Sequence, residues 1–204
     1  YKRLADGDTG PNTGGMGCYS PVADLPDDLV AWTMAQVIHP VLATMTSRGT
    51  PYRGFLYAGL MLTAAGPQVL EFNCRLGDPE TQVVLPRLEA DLLQLLAAAA
   101  GGNLRDTPLS WSADAAVDVV LASRGYPDAP ETGFAIGGIE AASTDSIVFH
   151  AATALTDEGL VTAGGRVLNV VGRAETVAAA RAAAYAAAAR ITFEGKTLRS
   201  DIGE

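Results

Sequence analysis

Two runs, residues 54–62 and 68–74, are rich in apolar and aromatic side chains and are divided by Thr63-Ala64-Ala65-Gly66-Pro67. Strand-forming runs on either side of turn material predict an antiparallel β-hairpin. Side chains alternate across a strand with a period of two. Glu71, Asn73 and Arg75 therefore share one face of the second strand. Leu70, Phe72 and Cys74 share the other, which is apolar and suited to a core. The polar row has two readings. It is either a solvated face with an ordinary Glu–Arg pair or a nucleotide phosphate site. A carboxylate and an amide carbonyl are hard oxygen donors, suited to Mg²⁺ rather than Zn²⁺. A guanidinium matches phosphate oxygens with its planar fork. Gly59 on the first strand leaves room for a ligand.

Residues 6–17 read Asp-Gly-Asp-Thr-Gly-Pro-Asn-Thr-Gly-Gly-Met-Gly. At this density of glycine, proline and Asn/Asp, neither a helix nor a regular strand is expected. The stretch is a plain surface turn or a loop whose backbone N–H groups wrap an anion. No Gly-Lys-Ser/Thr follows, so it is not a P-loop, and it is not a dinucleotide fingerprint. Asp27 or Asp28 can cap a helix running toward Arg48. Val30, Met34, Ile38, Val41 and Met45 form its expected buried stripe. Pro40 should kink it near Ile38, leaving His39 a structural residue beside the kink. Asp78 and Pro79 read as N-cap and first residue of a second helix, a place that also attracts anions and metal-bound phosphates. After Pro86, residues 88–100 read as a buried helix ended by Gly101-Gly102.

Beyond a boundary at 101–107 the pattern changes. Strands are expected at 115–122, 147–155 and 166–172, then an alanine-rich helix over 174–190 with Val177, Ala180, Ala184 and Ala188 on one face. His150 reads as a core or rim histidine. This second part is an antiparallel sheet with one covering helix, an α+β unit.

The 204-residue chain carries a net charge of −9, which argues against nucleic acid or an anionic membrane as partner. Any phosphate handling must then rest on local positive charge or a metal. Cys18 and Cys74 lack metal-ligand spacing and read as free thiols in a cytoplasmic protein. No apolar run of transmembrane length and no signal peptide is expected. The start at Tyr1-Lys2-Arg3, without an initiator methionine, reads as one part of a longer polypeptide.

The glycine-rich stretch at 6–17 and Glu-Phe-Asn-Cys-Arg-Leu-Gly-Asp-Pro-Glu-Thr-Gln at 71–82 are long, specific motifs. With Tyr57-Ala58-Gly59-Leu60-Met61, Gly164-Gly165-Arg166-Val167-Leu168 and Arg199-Ser200-Asp201-Ile202-Gly203, the chain resembles the phosphoribosylamine–glycine ligase (glycinamide ribonucleotide synthetase) family of the ATP-grasp superfamily, over essentially its whole length. The resemblance implies an α+β fold. Residues 1–100 would be the carboxyl-terminal half of an ATP-grasp core, an antiparallel sheet with helices. Residues 101–107 would be a linker, and 108–204 a small α+β carboxyl-terminal domain.

It also implies ligation of glycine to 5-phosphoribosylamine through glycyl phosphate, with ATP giving ADP and phosphate, in purine biosynthesis. Glu71 and Asn73 would hold Mg²⁺ (or Mn²⁺), and Arg75 would stabilise the transferring phosphoryl group. Asn12, Thr13, Gly14, Gly15, Met16 and Gly17 would cradle the substrate side through backbone N–H groups. Asp78 and Glu80 would hold the amine or ribose hydroxyls. The strand before Glu71 has no acid. Either Glu71 then bridges two metals, or one ion depends on ATP phosphates and water. The amino-terminal half, with the adenine clamp, would be the missing partner, and the fragment alone would be inactive. The alternatives are another ATP-grasp carboxylate–amine ligase and a non-catalytic module that keeps the fold.

Overall fold

The computed structural model describes residues 1–23, 25–105 and 109–204. The chain packs as two compact units, one of residues 1–21, 78–88 and 111–204, the other of residues 22–77 and 89–110. The division expected at 101–107 runs along the chain, whereas the packing joins residues 1–21 to residues beyond 111. Residues 106–108, at that expected boundary, lie outside the described residues.

The first unit is built on a four-stranded antiparallel sheet. Its spatial order is β3 (Gly17–Ser20), β6 (Ala115–Ala122), β10 (Arg166–Ala174), β7 (Ile147–His150). Every residue of β6 is buried, so this strand is covered on both faces, as its near-continuous apolar sequence requires. Ala115, Val117, Val119 and Leu121 meet Ala180, Ala184, Ala187 and Ala188 of helix α6 (Val177–Arg190). Thr176 caps that helix, its hydroxyl accepting from the Ala179 N–H at 3.2 Å. Helix and sheet approach closely at Gly172, where a Cβ would lie 2.1 Å from the Ala180 carbonyl oxygen. Ala116 and Val171 face the other way, onto Val83 of the short helix α3 (Thr81–Val84).

Two hairpins complete this unit: β1 (Arg3–Ala5) with β2 (Thr9–Asn12), and β8 (Thr153–Thr156) with β9 (Gly159–Thr162). The first corrects the expectation of no regular strand in residues 6–17. Gly7 and Asp8 take positive φ, 64° and 53°, and reverse the chain so that Thr9 meets Ala5. The single strand expected over 147–155 is instead β7 and β8. His150 ends β7 at the exposed rim, its Nδ1 3.0 Å from the Thr153 hydroxyl.

The Asp78–Pro79 helix start is also corrected. Helix α3 begins at Thr81, and Glu80, its N-cap residue, makes no side-chain capping bond. The Asp78 carboxylate is engaged elsewhere, by Arg166 and Gln82.

The second unit holds α1 (Leu29–Thr33), a π-helical turn (Met34–Ile38) and α2 (His39–Ser47) in one continuous helix. It also holds the hairpin of β4 (Tyr57–Thr63) and β5 (Gly66–Asn73), and helix α4 (Leu92–Gly101). Pro40 sits in the first turn of α2, directly after the π turn. A wider turn offsets the loss of its N–H. It also rotates the helix face, so a stripe counted at steps of three and four through Pro40 does not stay on one side. Leu29 and Val37 are the buried residues, while Val30 is 73% exposed and Met34 is exposed.

The stretch Leu29–Ser47 runs 19 residues and contains an 18-residue window of mean hydropathy 1.3, enough to cross a membrane by length and composition alone. This corrects the expectation of no such run. Helix α4, capped by Asp91 and closed by left-handed Gly102, buries none of its residues, which corrects the buried helix expected there. Leu70 and Phe72, expected on a core face, are exposed as well.

Candidate functional site

Glu71 and Asn73 lie on β5 opposite Gly59 and Tyr57 of β4. The register slips between Gly59 and Leu60, so Leu70 bulges out of the pairing. A Cβ on Gly59 would lie 3.2 Å from Glu71 Cγ. The space at Gly59 therefore admits the Glu71 side chain, not a ligand. Glu71 is exposed and Asn73 half-buried. No side-chain hydrogen bond or ion pair engages either among the described residues. Strand β5 ends at Asn73, which leaves Arg75 two residues beyond it, its Nη1 donating to the Leu76 carbonyl at 2.9 Å. The Glu71–Arg75 pair of the bland reading does not form. What remains is a free carboxylate and amide two residues apart, a hard-oxygen pair with open coordination. No group of three His, Cys, Asp or Glu able to hold a metal occurs among the described residues, so other oxygens would have to complete an ion's shell.

Asn12, Thr13, Gly14, Gly15, Met16, Gly17, Asp78 and Glu80 belong to the first unit. Within it the loop is tightly bonded. The N–H groups of Thr13 and Met16 donate to the Lys2 and Tyr1 carbonyls, each at 2.8 Å. Gly14 N–H donates to the Tyr126 hydroxyl at 2.9 Å, and Gly15 N–H to the Thr13 hydroxyl at 3.0 Å. Four N–H groups expected to cradle a substrate are thus spent inside the chain. The residue choice reflects crowding. Gly15 has a φ of 119°, and a Cβ on it would lie 2.5 Å from Pro79 Cδ. A Cβ on Gly14 would lie 2.9 Å from the Arg166 guanidinium carbon, and one on Gly17 2.4 Å from the Asp118 carbonyl oxygen.

Arg166 gathers these segments. Its Nη1 donates to the carbonyls of Gly14 at 3.0 Å and Asp78 at 2.9 Å, and its Nη2 pairs with Asp78 Oδ2 at 3.0 Å. Gln82 Nε2 takes the other carboxylate oxygen of Asp78 at 2.9 Å.

Asp118 on β6 is fully buried, and neither carboxylate oxygen makes a hydrogen bond of good geometry among the described residues, the Val170 backbone N–H being the nearest donor to act on it. Burial, reinforced by the Asp78 charge and partly opposed by Arg166, raises its pKa well above the usual carboxylate range. Cys18, its cross-strand neighbour, is pushed up too, by burial first and then by Asp118 and Glu80. The Cys18 thiol donates to the Pro79 carbonyl at 3.3 Å and stays protonated, so it is no nucleophile.

Sequence reasoning assigned no role to Arg166, Tyr126 or Asp118. Arg166 stands in a recognised motif, but its partners lie 88 and 152 residues away in sequence. Asp118 carried a visible signal: one acid inside Ala-Ala-Val-Asp-Val-Val-Leu-Ala.

Residues 1–81 match the phosphoribosylglycinamide synthetase ATP-grasp (A) domain, and residues 116–204 match the phosphoribosylglycinamide synthetase C domain. The chain is similar to the phosphoribosylamine–glycine ligases of Ralstonia nicotianae, 50% identical over 204 residues, and Rhizobium meliloti, 50% identical over 203. Each alignment takes in 100% of this chain and 48% of the relative. A crystal structure of phosphoribosylamine–glycine ligase from Thermotoga maritima superposes with a TM-score of 0.89 at 44% identity, covering 99% of this chain and 50% of that one. The chain thus spans about half the length of the curated relatives it matches.

Proposed function

This chain belongs to the phosphoribosylglycinamide synthetase family, and we propose that it is part of a cytoplasmic, ATP-dependent ligase joining glycine to 5-phosphoribosylamine. The products are glycinamide ribonucleotide, ADP and phosphate. The observation that carries this reading is 50% identity to such ligases along the whole chain. Its α+β ATP-grasp architecture agrees with it.

A carboxylate acylates an amine only once it has a leaving group, and phosphorylation of glycine supplies one. The chain's task is then positioning and charge neutralisation. The unengaged oxygens of Glu71 and Asn73 fit Mg²⁺ or Mn²⁺, and ATP phosphates would complete the shell. Bound there, the ion would neutralise phosphate charge. Arg75, past the end of β5, would meet the transferring phosphoryl group. The loop of Asn12, Thr13, Gly14, Gly15, Met16 and Gly17, with Asp78 and Glu80, would shape the amine-substrate side. Because the N–H groups of residues 13–16 are already bonded, side chains such as Asn12 and Glu80 would make the substrate contacts. The other half of the polypeptide would supply the adenine side of the ATP pocket.

The test is ADP release by the complete polypeptide across a panel of acids and amines with Mg·ATP. Release that depends on both glycine and 5-phosphoribosylamine is expected. Release with a different acid–amine pair would make it another ATP-grasp ligase. Nucleotide binding without release under any pair would make it a non-catalytic module.

A further inference from the structure

Gly14 lies next to Gly15 in the middle of the proposed substrate loop, and two glycines in sequence are the most conformationally free backbone a chain can have. Here the Gly14 residue is held on both sides. Its N–H donates to the Tyr126 hydroxyl at 2.9 Å, and its carbonyl accepts from Arg166 Nη1 at 3.0 Å. Both partners come from the far part of the sequence, 112 and 152 residues away.

Each partner is itself braced. The Tyr126 ring lies against Gly165, where a Cβ would come within 2.2 Å of Cδ2. Gly125 turns the chain into Tyr126 with a φ of 81°, and the Tyr126 N–H donates to the Ser123 carbonyl at 3.2 Å. The Ser123 hydroxyl in turn donates to the Gly164 carbonyl at 2.8 Å. Arg166 begins β10 and also donates to the carbonyl and carboxylate of Asp78. Gly164-Gly165-Arg166 is thus one device. The second glycine admits the tyrosine that accepts from the Gly14 N–H, and the arginine donates to the Gly14 carbonyl and ties it to Asp78.

We propose that Tyr126 and Arg166 are positioning residues of the ligase site. They fix the Gly14 peptide and Asp78 so that the amine substrate meets a preformed wall. The proposal rests on the function proposed above. Neither residue needs to touch substrate. Their contribution is to remove in advance the conformational freedom that substrate would otherwise have to freeze out.

The test pairs kinetics of the complete enzyme with hydrogen–deuterium exchange. Tyr126→Phe keeps the ring and removes only the hydroxyl. It should raise KM for 5-phosphoribosylamine about 3- to 10-fold, the scale of one neutral hydrogen bond, with kcat and the KM for ATP nearly unchanged. Arg166→Gln, losing charge-assisted bonds, should lower kcat/KM about 10- to 100-fold. Arg166→Lys, which keeps the charge without the fork, should restore only part of it.

Exchange of peptides covering residues 12–17 should quicken in Tyr126→Phe while peptides of β6 and β10 stay as in the parent. Parental KM with parental exchange would overturn the proposal. So would faster exchange that spreads through β6 and β10, because Tyr126 would then be a general stabiliser. If the parent enzyme proves inactive with glycine and 5-phosphoribosylamine, the function reading fails on its own. The exchange pattern then decides the clamp, with local quickening supporting it and unchanged exchange overturning it.

Discussion

Replacing Asp118 by Val should stabilise this protein, by an amount that grows with pH. The carboxyl is fully buried in strand β6, and neither oxygen makes a hydrogen bond of good geometry among the described residues, the Val170 N–H acting on it only weakly. An unpartnered buried polar group costs about 1–3 kcal/mol. Valine is close in volume and suits a strand. Near pH 4, where the folded carboxyl is protonated, the variant should therefore be about 1–3 kcal/mol more stable, a rise in Tm of about 2–12 °C for a chain of this length, and the gain should be larger at pH 8.

The pH dependence follows from proton binding. The folded-state pKa of Asp118 is raised, so over a range of pH the folded chain keeps a proton that the unfolded chain has released. The parent's stability then falls as pH climbs from the unfolded value near 4 up through the folded pKa. Valine has no such term. The difference between the two chains should be smallest near pH 4, widen with rising pH, and level off once the folded carboxyl ionises. The charged and titratable groups that face Asp118 are Asp78, Glu80, Arg166 and Cys18. Urea unfolding of both chains from pH 4 to pH 8 measures the difference. A valine variant less stable than the parent at pH 8, or a gap that shrinks as pH rises, would refute the reasoning.

Gly172→Ala would press a Cβ to within 2.1 Å of the Ala180 carbonyl oxygen. It should cost about 1–3 kcal/mol or more as α6 lifts from β10, read as a lower urea midpoint with an unchanged slope. Glu71→Gln changes an exposed side chain. In the complete enzyme turnover should drop by about 100-fold with Tm unmoved, and near-normal turnover at ordinary Mg²⁺ would remove Glu71 from the metal site. Asp201 is held well below the usual carboxylate range, first by its hydrogen bond from the buried Arg199. Its stabilisation is present above the unfolded pKa near 4 and is lost as pH falls toward the folded one. Asp201→Asn should then cost about 1.5–3 kcal/mol at pH 7 and less near pH 3, by denaturant titration.

Local features of this chain were legible because local physics decides them. The β4–β5 hairpin follows from two strand-forming runs and the turn between them. Strand β6 follows from an apolar run, and α6 from alanine spacing. The continuous apolar character of β6 agrees with its burial on both faces. What stayed hidden depends on which distant segment covers which face. Nothing near Gly17 in sequence says that it pairs with Val119, or that residues 78–88 pack with the first and last parts of the chain. The helix stripe failed for a finer reason. The π turn ahead of Pro40 changes the angular step, so Leu29 and Val37 turn inward while Val30 stays out.

In the glycine-rich loop the expectation of free N–H groups is the part the structure corrects. Glycine density suggested free N–H groups turned toward an anion, yet the N–H groups of residues 13–16 find acceptors within the chain. The glycines answer to crowding, Gly14 against the Arg166 guanidinium, Gly15 against Pro79 and Gly17 against the backbone of β6. Three segments distant in sequence converge there, and only a residue without a side chain fits between them. Substitutions at Gly14, Gly15 and Gly17 should therefore register as lost stability before they register as lost chemistry. The side chains of Asn12, Glu71 and Asn73, by contrast, are exposed or half-buried. Changes there can alter activity while leaving the fold intact. Comparing the two classes of variant separates what the loop is built from and what it is built to present.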